Sequence, residues 1–559
     1  MSGDNENMRP PSISALKKLE IFLVVLLVLG AAWLRFGNLT TVPGGFHGDE
    51  ATVGLEAQRI LREGSIGPYS LAALGQPAGP LYLTALSVRF FGPTVWAVRA
   101  VSALLGTLTV LLLYLLLRRQ RGRTVAMVGA FLLATLDWHI HFSRLSFPII
   151  SWPLCVVATT FAALEATRQQ KAWLWGLAGA LTGIGIYSYN AHIVFILALS
   201  VWFVVYLLRQ REVLLSRRAG WLLCFVLALG LTVLPMARFA FDPANDYFSH
   251  ARTSSIFNPS APGWQGSKEK FTEEKTGVAK LKWLGERAIG FWVNLTYHSQ
   301  VDGVDSSGVV PAVPVGILVL TIVGWWLTRK QRDELTALTF WCVLLLPIGY
   351  MITIEGTTRR AFALAPFLVA MCAVGIVELW KRLSSLPYTG KYQAGRPVVM
   401  IGGVALVSIV LAGQSLNDYF VNFAPTPQRA WIFGQDFSDT CVFLATLPPT
   451  THVLFYSNRW GRNYEPRLFL APDLIIEDRS KQFGTFSFEV NSATKSPVFV
   501  LMGLYLQRLP ELKKKYPGSR IQMGPPSAET GHPVYAALWP QSPIKPSPPL
   551  ALTKTHSSN

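Results

Sequence analysis

The stretch LYLTALSVRFF, residues 81–91, decides how the whole chain is threaded. If it crosses a membrane, every loop after it changes side; if it lies flat, none does. It has 11 residues and carries Arg89, whereas a helix needs about 20 apolar residues to cross a hydrocarbon core of about 30 Å. A helix lying in the interfacial layer fits it better.

On either side of it, apolar segments recur at 19–36, 100–117, 125–138, 150–166, 172–187, 192–208, 221–241, 315–327, 335–353, 361–380 and 398–416, eleven in all. With 51% hydrophobic and only 15% charged residues, the composition departs from that of soluble domains. The sequence therefore predicts a polytopic α-helical membrane protein. With 81–91 left out of the count, the basic loops 118–123, 168–171, 209–218, 329–332 and 381–396 all fall on the side of Lys17 and Lys18. The positive-inside rule makes that side cytoplasmic. It also accounts for the net charge of +18 without a nucleic-acid partner. The run 19–36 is long for the apolar region of a signal peptide, and is read as an uncleaved first span with a cytoplasmic N-terminus.

Loops 37–99 and 242–314 are then expected on the outer face of a transmembrane domain covering 1–416. In the first, Val53, Ala57, Ile60 and Leu61 repeat at helical spacing. In the second, Leu281, Leu284, Ala288, Phe291 and Leu295 do the same, with Trp283 and Trp292 suited to the headgroup layer. Residues 417–559 have the composition of a soluble domain. Strand-like runs at 452–456, 474–477, 497–502 and 534–538 alternate there with helical patterns at 440–447 and 504–516, which predicts a small extracytoplasmic α/β layer. From Gly524 the chain is rich in Pro and Ser, and its end is expected to be disordered.

The residues able to carry chemistry collect at outer ends. FHGDEA, residues 46–51, places Asp49 and Glu50 where a surface helix begins. An acid there can be functional, or it can simply cap the helix and favour its first turn. Arg359 and Arg360, in EGTTRRA at 355–361, lie at an outer helix end that the positive-inside rule does not explain. A lipid phosphate would explain them, since guanidinium binds phosphate oxygens in a bidentate fashion; snorkelling to ordinary headgroups is the alternative. Arg144 and Arg99 raise the same question. Asp137, His139 and His141 cluster at the outer end of the third span, and without further matched ligands are read as lining the interface rather than holding a metal. The five cysteines form no ligand or disulfide pattern.

An apolar first span, an outer HGDEA, an interfacial GPLY at 79–82, then RAVSA at 99–103 leading into a span that ends in Arg118 and Arg119, resembles the GT-C membrane glycosyltransferases. Within that group it resembles the protein O-mannosyltransferases and aminoarabinose transferases, of the glycosyltransferase family 39 type. The resemblance covers 19–208 and, more loosely, 315–380. It implies a polyprenyl-phosphate sugar donor and inverting transfer of one hexosyl or pentosyl unit at the outer face of the cell membrane. The acceptor would be a hydroxyl or amine of a protein, lipid or polysaccharide. It further implies Asp49 as general base with Glu50 beside it, and Arg359 or Arg360, with Arg144, at the carrier phosphate. RLSFP at 144–148 is followed by Ile149, where many relatives carry an acid. A second carboxylate or a divalent metal is therefore not supported, and the cofactor stays open. The signature Trp-Trp-Asp-Tyr-Gly of oligosaccharyltransferases is absent, which argues against en bloc transfer to asparagine. A transporter or lipid-glycan flippase would suit eleven spans equally, but transporters place ionisable groups near the midplane of broken helices.

Overall fold

The computed structural model describes residues 13–73, 75–210, 213–257, 276–297, 311–331, 333–354, 356–385, 396–480, 488 and 496–541. The chain divides into two compact units, one of Met1–Pro43 with Glu56–Pro425, the other of Gly44–Leu55 with Thr426–Asn559. The end of the Pro- and Ser-rich tail lies outside the described residues.

Among the described residues of the first unit, 8 helices are long and apolar enough to cross a membrane: Ser14–Phe36, Val95–Arg121, Pro148–Gln169, His192–Arg209, Leu215–Phe241, Glu334–Met351, Thr358–Ser384 and Val399–Phe423. A ninth candidate is a pair bent by 55°, Arg123–Thr135 with Asp137–Arg144, and two shorter apolar helices are Ala172–Gly185 and Val315–Thr328. These answer one for one to the eleven apolar segments of the sequence, so the protein is a multi-pass membrane protein. Of the 18-residue apolar stretch in each, 89% is buried in Thr358–Ser384, the central helix, against 11% in Ser14–Phe36 and 17% in Leu215–Phe241, which face outward.

We label the first elements α1 (Ile13–Phe36), α2 (Gly48–Glu63), the two-residue strands β1 (Tyr69–Ser70) and β2 (Gln76–Pro77), α3 (Gly79–Phe91), α4 (Val95–Arg121), α5 (Arg123–Thr135) and α6 (Asp137–Arg144). The deciding stretch forms α3, whose 13 residues reach about 20 Å, short of a full crossing. Leu81, Ala85 and Val88 are buried while Leu83, Leu86, Phe90 and Phe91 are exposed. One apolar face thus packs inward, with Ser87 Oγ donating to Ala97 O of α4 at 2.6 Å, and a second is left for lipid. At its start Gly79 N–H donates to Tyr187 O at 3.1 Å. A Cβ there would sit 2.5 Å from that oxygen, so only glycine permits the approach.

Ion pairs tie the basic loops into one end of this unit. Glu20 meets Arg118 and, at 2.7 Å, Arg123; Arg119 meets Glu165 at 2.7 Å, and Arg121 meets Asp333. One expectation changes. Asp137, His139 and His141 do not line an interface, because the bend between α5 and α6 carries all of α6 into the packing, where each of its residues is buried. Asp137 accepts from Ser415 Oγ at 3.1 Å, His139 Nδ1 lies 2.9 Å from Arg35 Nη2, and His141 packs among Phe142, Tyr419 and Phe423.

The second unit is an α/β layer. Strands β3 (His452–Tyr456), β4 (Ile475–Asp478) and β5 (Pro497–Met502) run parallel, and β6 (Arg520–Met523) and β7 (Tyr535–Trp539) complete the order β4-β3-β5-β7-β6 in antiparallel fashion. Alternation along the strands builds two cores. Val453, Phe455, Val498 and Val500 meet Phe437, Cys441 and Leu444 of the helix Gln435–Leu444 on one face. Leu454, Tyr456, Phe499 and Leu501 meet Tyr505 and Leu512 on the other. Sequence patterning missed β6, a four-residue edge strand with no fully buried position. Residues 44–55 also belong to this unit, although the sequence places them in a loop between membrane segments.

Candidate active site

The path of residues 44–51 is set by contacts within the second unit. Gly45 has φ +84°, and a Cβ on it would lie 2.6 Å from Phe433 O, so a side chain is excluded twice over. Phe46 is buried, its ring 5.7 Å from that of Phe469 and its N–H donating to Ser438 Oγ at 2.8 Å. Gly48 N–H donates to Tyr464 Oη at 3.1 Å. The first helical bond of α2 runs from Ala51 N–H to His47 O at 3.0 Å, which makes His47 the N-cap.

The caps of that turn are made by the neighbours of Asp49. His47 Nδ1 accepts from Asp49 N–H at 3.1 Å, and Glu50 Oε2 accepts from His47 N–H at 3.2 Å. Half of this is the arrangement of a capping box, the side chain at the third helical position reaching back to the N-cap amide, while the imidazole takes the amide of the second position. Glu50 is fully buried, so one acid of the pair folds the turn. The other does not. The Asp49 side chain remains 31% exposed, with His47 Nδ1 3.8 Å from Oδ2. Nearby, burial pushes the Tyr464 phenol up to about 12, with the charges of Glu465 and Asp49 adding to the effect.

In the first unit the Thr357 to Arg360 turn opens the helix that runs to Ser384. Arg360 is buried and Arg359 half-buried. Thr357 and Thr358 are buried too, their hydroxyls without a hydrogen-bond partner among the described residues. Both arginines thus stand at the N-terminal end of this helix, where its dipole is positive. The preceding turn, with Gly356 at φ +59°, is braced by a residue that sequence reading passed over. Arg287 Nη2 donates to Tyr350 O at 2.9 Å and Thr353 O at 2.6 Å, and its guanidinium lies 4.9 Å from the Trp283 ring centroid. The signal was there: Arg287 interrupts the apolar stripe of Leu284, Ala288 and Phe291.

Arg144 is occupied differently. Its Nε donates to Val42 O, Nη1 to Leu34 O and Arg35 O, and Nη2 to Gly37 O and Asn38 O, at 2.6 to 3.3 Å. These include carbonyls that the last turn of α1 leaves without helical partners. Arg99 Nη1 donates to Leu39 O and Pro43 O at 3.0 Å. Both arginines therefore hold the segment leading out of α1. Among the described residues, no group of three or more His, Cys, Asp or Glu could hold a metal ion.

Residues 75–236 match the family model described as dolichyl-phosphate-mannose-protein mannosyltransferase. No curated protein sequence matches the chain. Among solved structures, ArnT from Cupriavidus metallidurans in the apo state is similar over 94% of this chain and 98% of its own, with 12% identity and a TM-score of 0.51. The same enzyme bound to undecaprenyl phosphate matches with a TM-score of 0.48. AglB, an archaeal oligosaccharyltransferase from Archaeoglobus fulgidus solved with an inhibitory peptide and a dolichol-phosphate, matches over 93% of this chain and 74% of its own, with 14% identity and a TM-score of 0.48.

Proposed function

Taking as premise that the chain has the fold of the GT-C membrane glycosyltransferases, we propose that it transfers one sugar from a polyprenyl-phosphate carrier to an acceptor hydroxyl or amine at the outer membrane face. The C–O bond from the anomeric carbon to the phosphate breaks as the acceptor bonds to the opposite face of that carbon, with inversion. Polyprenyl phosphate leaves with the bonding electrons, and the acceptor proton passes to Asp49. Arg359 and Arg360, with the helix N-terminus behind them, hold the carrier phosphate.

The observation that carries this reading is the division of labour in the FHGDEA turn. Were Asp49 the cap, its presence would need no function. With His47 and Glu50 making the cap, a partly exposed carboxylate remains at the head of α2, suited to proton abstraction at neutral pH.

The test is to reconstitute the protein in nanodiscs, identify copurifying lipids by mass spectrometry, and follow release of undecaprenyl phosphate from undecaprenyl-phosphate mannose and glucose. Bound polyprenyl phosphate and sugar-dependent release support the proposal. Movement of the intact lipid-linked sugar between leaflets without cleavage would instead support a flippase.

A further inference from the structure

We infer that Tyr464 is a positioning residue for Asp49, so that the C-terminal unit builds part of the catalytic apparatus. The inference rests on the reading of Asp49 as the base. The first N–H groups of a helix have no partner inside it, and in α2 the first of them, on Gly48, is taken by Tyr464 Oη from 416 residues away. The fit is close: a Cβ on Gly48 would meet the Tyr464 ring and hydroxyl at 3.0 Å and Glu465 Oε2 at 3.1 Å. Asp49 is the next residue, so whatever fixes Gly48 fixes the origin of the Asp49 side chain.

Tyr464 is itself held. Its ring stacks on Trp460 at 4.5 Å and 19° and lies 5.5 Å from Phe437, a core residue of the unit. On Trp460 rests the Arg459 guanidinium, 4.2 Å from the ring centroid, which also covers Trp431 at 4.0 Å and donates to Trp431 O at 2.6 Å. Ser457 Oγ accepts from both Arg459 N–H and Trp460 N–H, anchoring the column to the end of β3. The chain of contacts from Trp431 to Gly48 is unbroken. With the phenol pushed up to about 12, Oη keeps its proton throughout the working pH range and adds no negative charge beside the base.

The experiment compares Tyr464→Phe, Asp49→Asn and the double variant in the full-length protein in nanodiscs. Two readouts are turnover of undecaprenyl-phosphate mannose and amide hydrogen exchange across residues 46–50. Phenylalanine keeps the stack and removes only the acceptor oxygen. Expected in Tyr464→Phe are faster exchange at 46–50, a kcat lower by roughly three- to tenfold, as for one lost hydrogen bond, and an unchanged donor KM. The double variant should be no slower than Asp49→Asn, because positioning a base that is gone has no value. Unchanged exchange at 46–50 would overturn the inference without any substrate. Wild-type kcat in Tyr464→Phe, with Asp49→Asn disabled, would overturn the positioning role and leave the base reading intact. Losses that multiply in the double variant would show independent roles and overturn it too. Wild-type turnover in Asp49→Asn would remove the base reading, and this inference with it.

Discussion

Replacing Arg144 with lysine separates a structural clamp from a phosphate ligand. The guanidinium donates five hydrogen bonds to carbonyls between Leu34 and Val42, and it is almost wholly buried. An ammonium has three N–H donors, so even ideal rearrangement loses two bonds. At roughly 1.5 kcal/mol each, the low end for hydrogen bonds to a charged group, the loss is about 3 kcal/mol. That corresponds to a fall in unfolding temperature of about 3 °C for a chain of this length. The assay is thermal unfolding in nanodiscs, followed by tryptophan fluorescence, with and without added undecaprenyl phosphate. The clamp predicts the full fall without the lipid, and the same increment on adding lipid in variant and wild type. An unchanged transition without lipid, coupled with weakened lipid binding, would refute the reasoning and return Arg144 to the phosphate.

Three further outcomes are expected. Arg359→Ala and Arg360→Ala should each weaken undecaprenyl-phosphate binding by roughly ten- to a hundredfold, and unchanged affinity in both and in the double variant would remove their role. A cysteine at Ser65 should react with an impermeant thiol reagent in intact cells, and one at Lys171 only after permeabilisation; labelling of both from one side would mean that 81–91 had been threaded wrongly. The Asp439 carboxyl is pushed up from 3.8 to about 6 by burial, with Asp436 adding repulsion. The folded state therefore holds this proton more tightly than the unfolded one, and the stability it contributes, complete below about pH 4, is lost as pH rises through about 6. Asp439→Asn should flatten that slope in the unfolding temperature between pH 4 and 7 and raise stability at pH 7.5.

The membrane fold was legible because hydropathy acts on the same length scale as the bilayer. The eleven segments and the flat reading of 81–91 follow from counting residues against hydrocarbon thickness. The parallel strands at 452–456 and 497–502 were equally plain, since buried strands are continuous apolar runs. What escaped was set by geometry. Arg144, Arg359 and Arg360 look alike as outer-end arginines, yet Arg144 turns to the end of α1 while the other two open a helix. Asp137 and His139 are indistinguishable in sequence from interfacial residues until the bend at Leu136 is known. Phe46 and Gly48 bond to Ser438 and Tyr464 across 392 and 416 residues, and no local pattern reports a contact at that separation. The capping choice was within reach: Glu50 lies three residues after His47, the capping-box spacing, but histidine is not a usual cap.

The central claim is that Asp49 removes the acceptor proton, and Asp49→Asn tests it most directly. Asparagine is nearly isosteric, the cap of α2 does not use the Asp49 side chain, and the variant should fold and bind undecaprenyl phosphate as the wild type does. The measurement is the steady-state rate of sugar transfer from undecaprenyl-phosphate donors in nanodiscs, with lipid binding measured on the same preparation. The account predicts normal binding and a rate lower by about a hundredfold or more, the contribution of a general base; wild-type transfer by Asp49→Asn would contradict it.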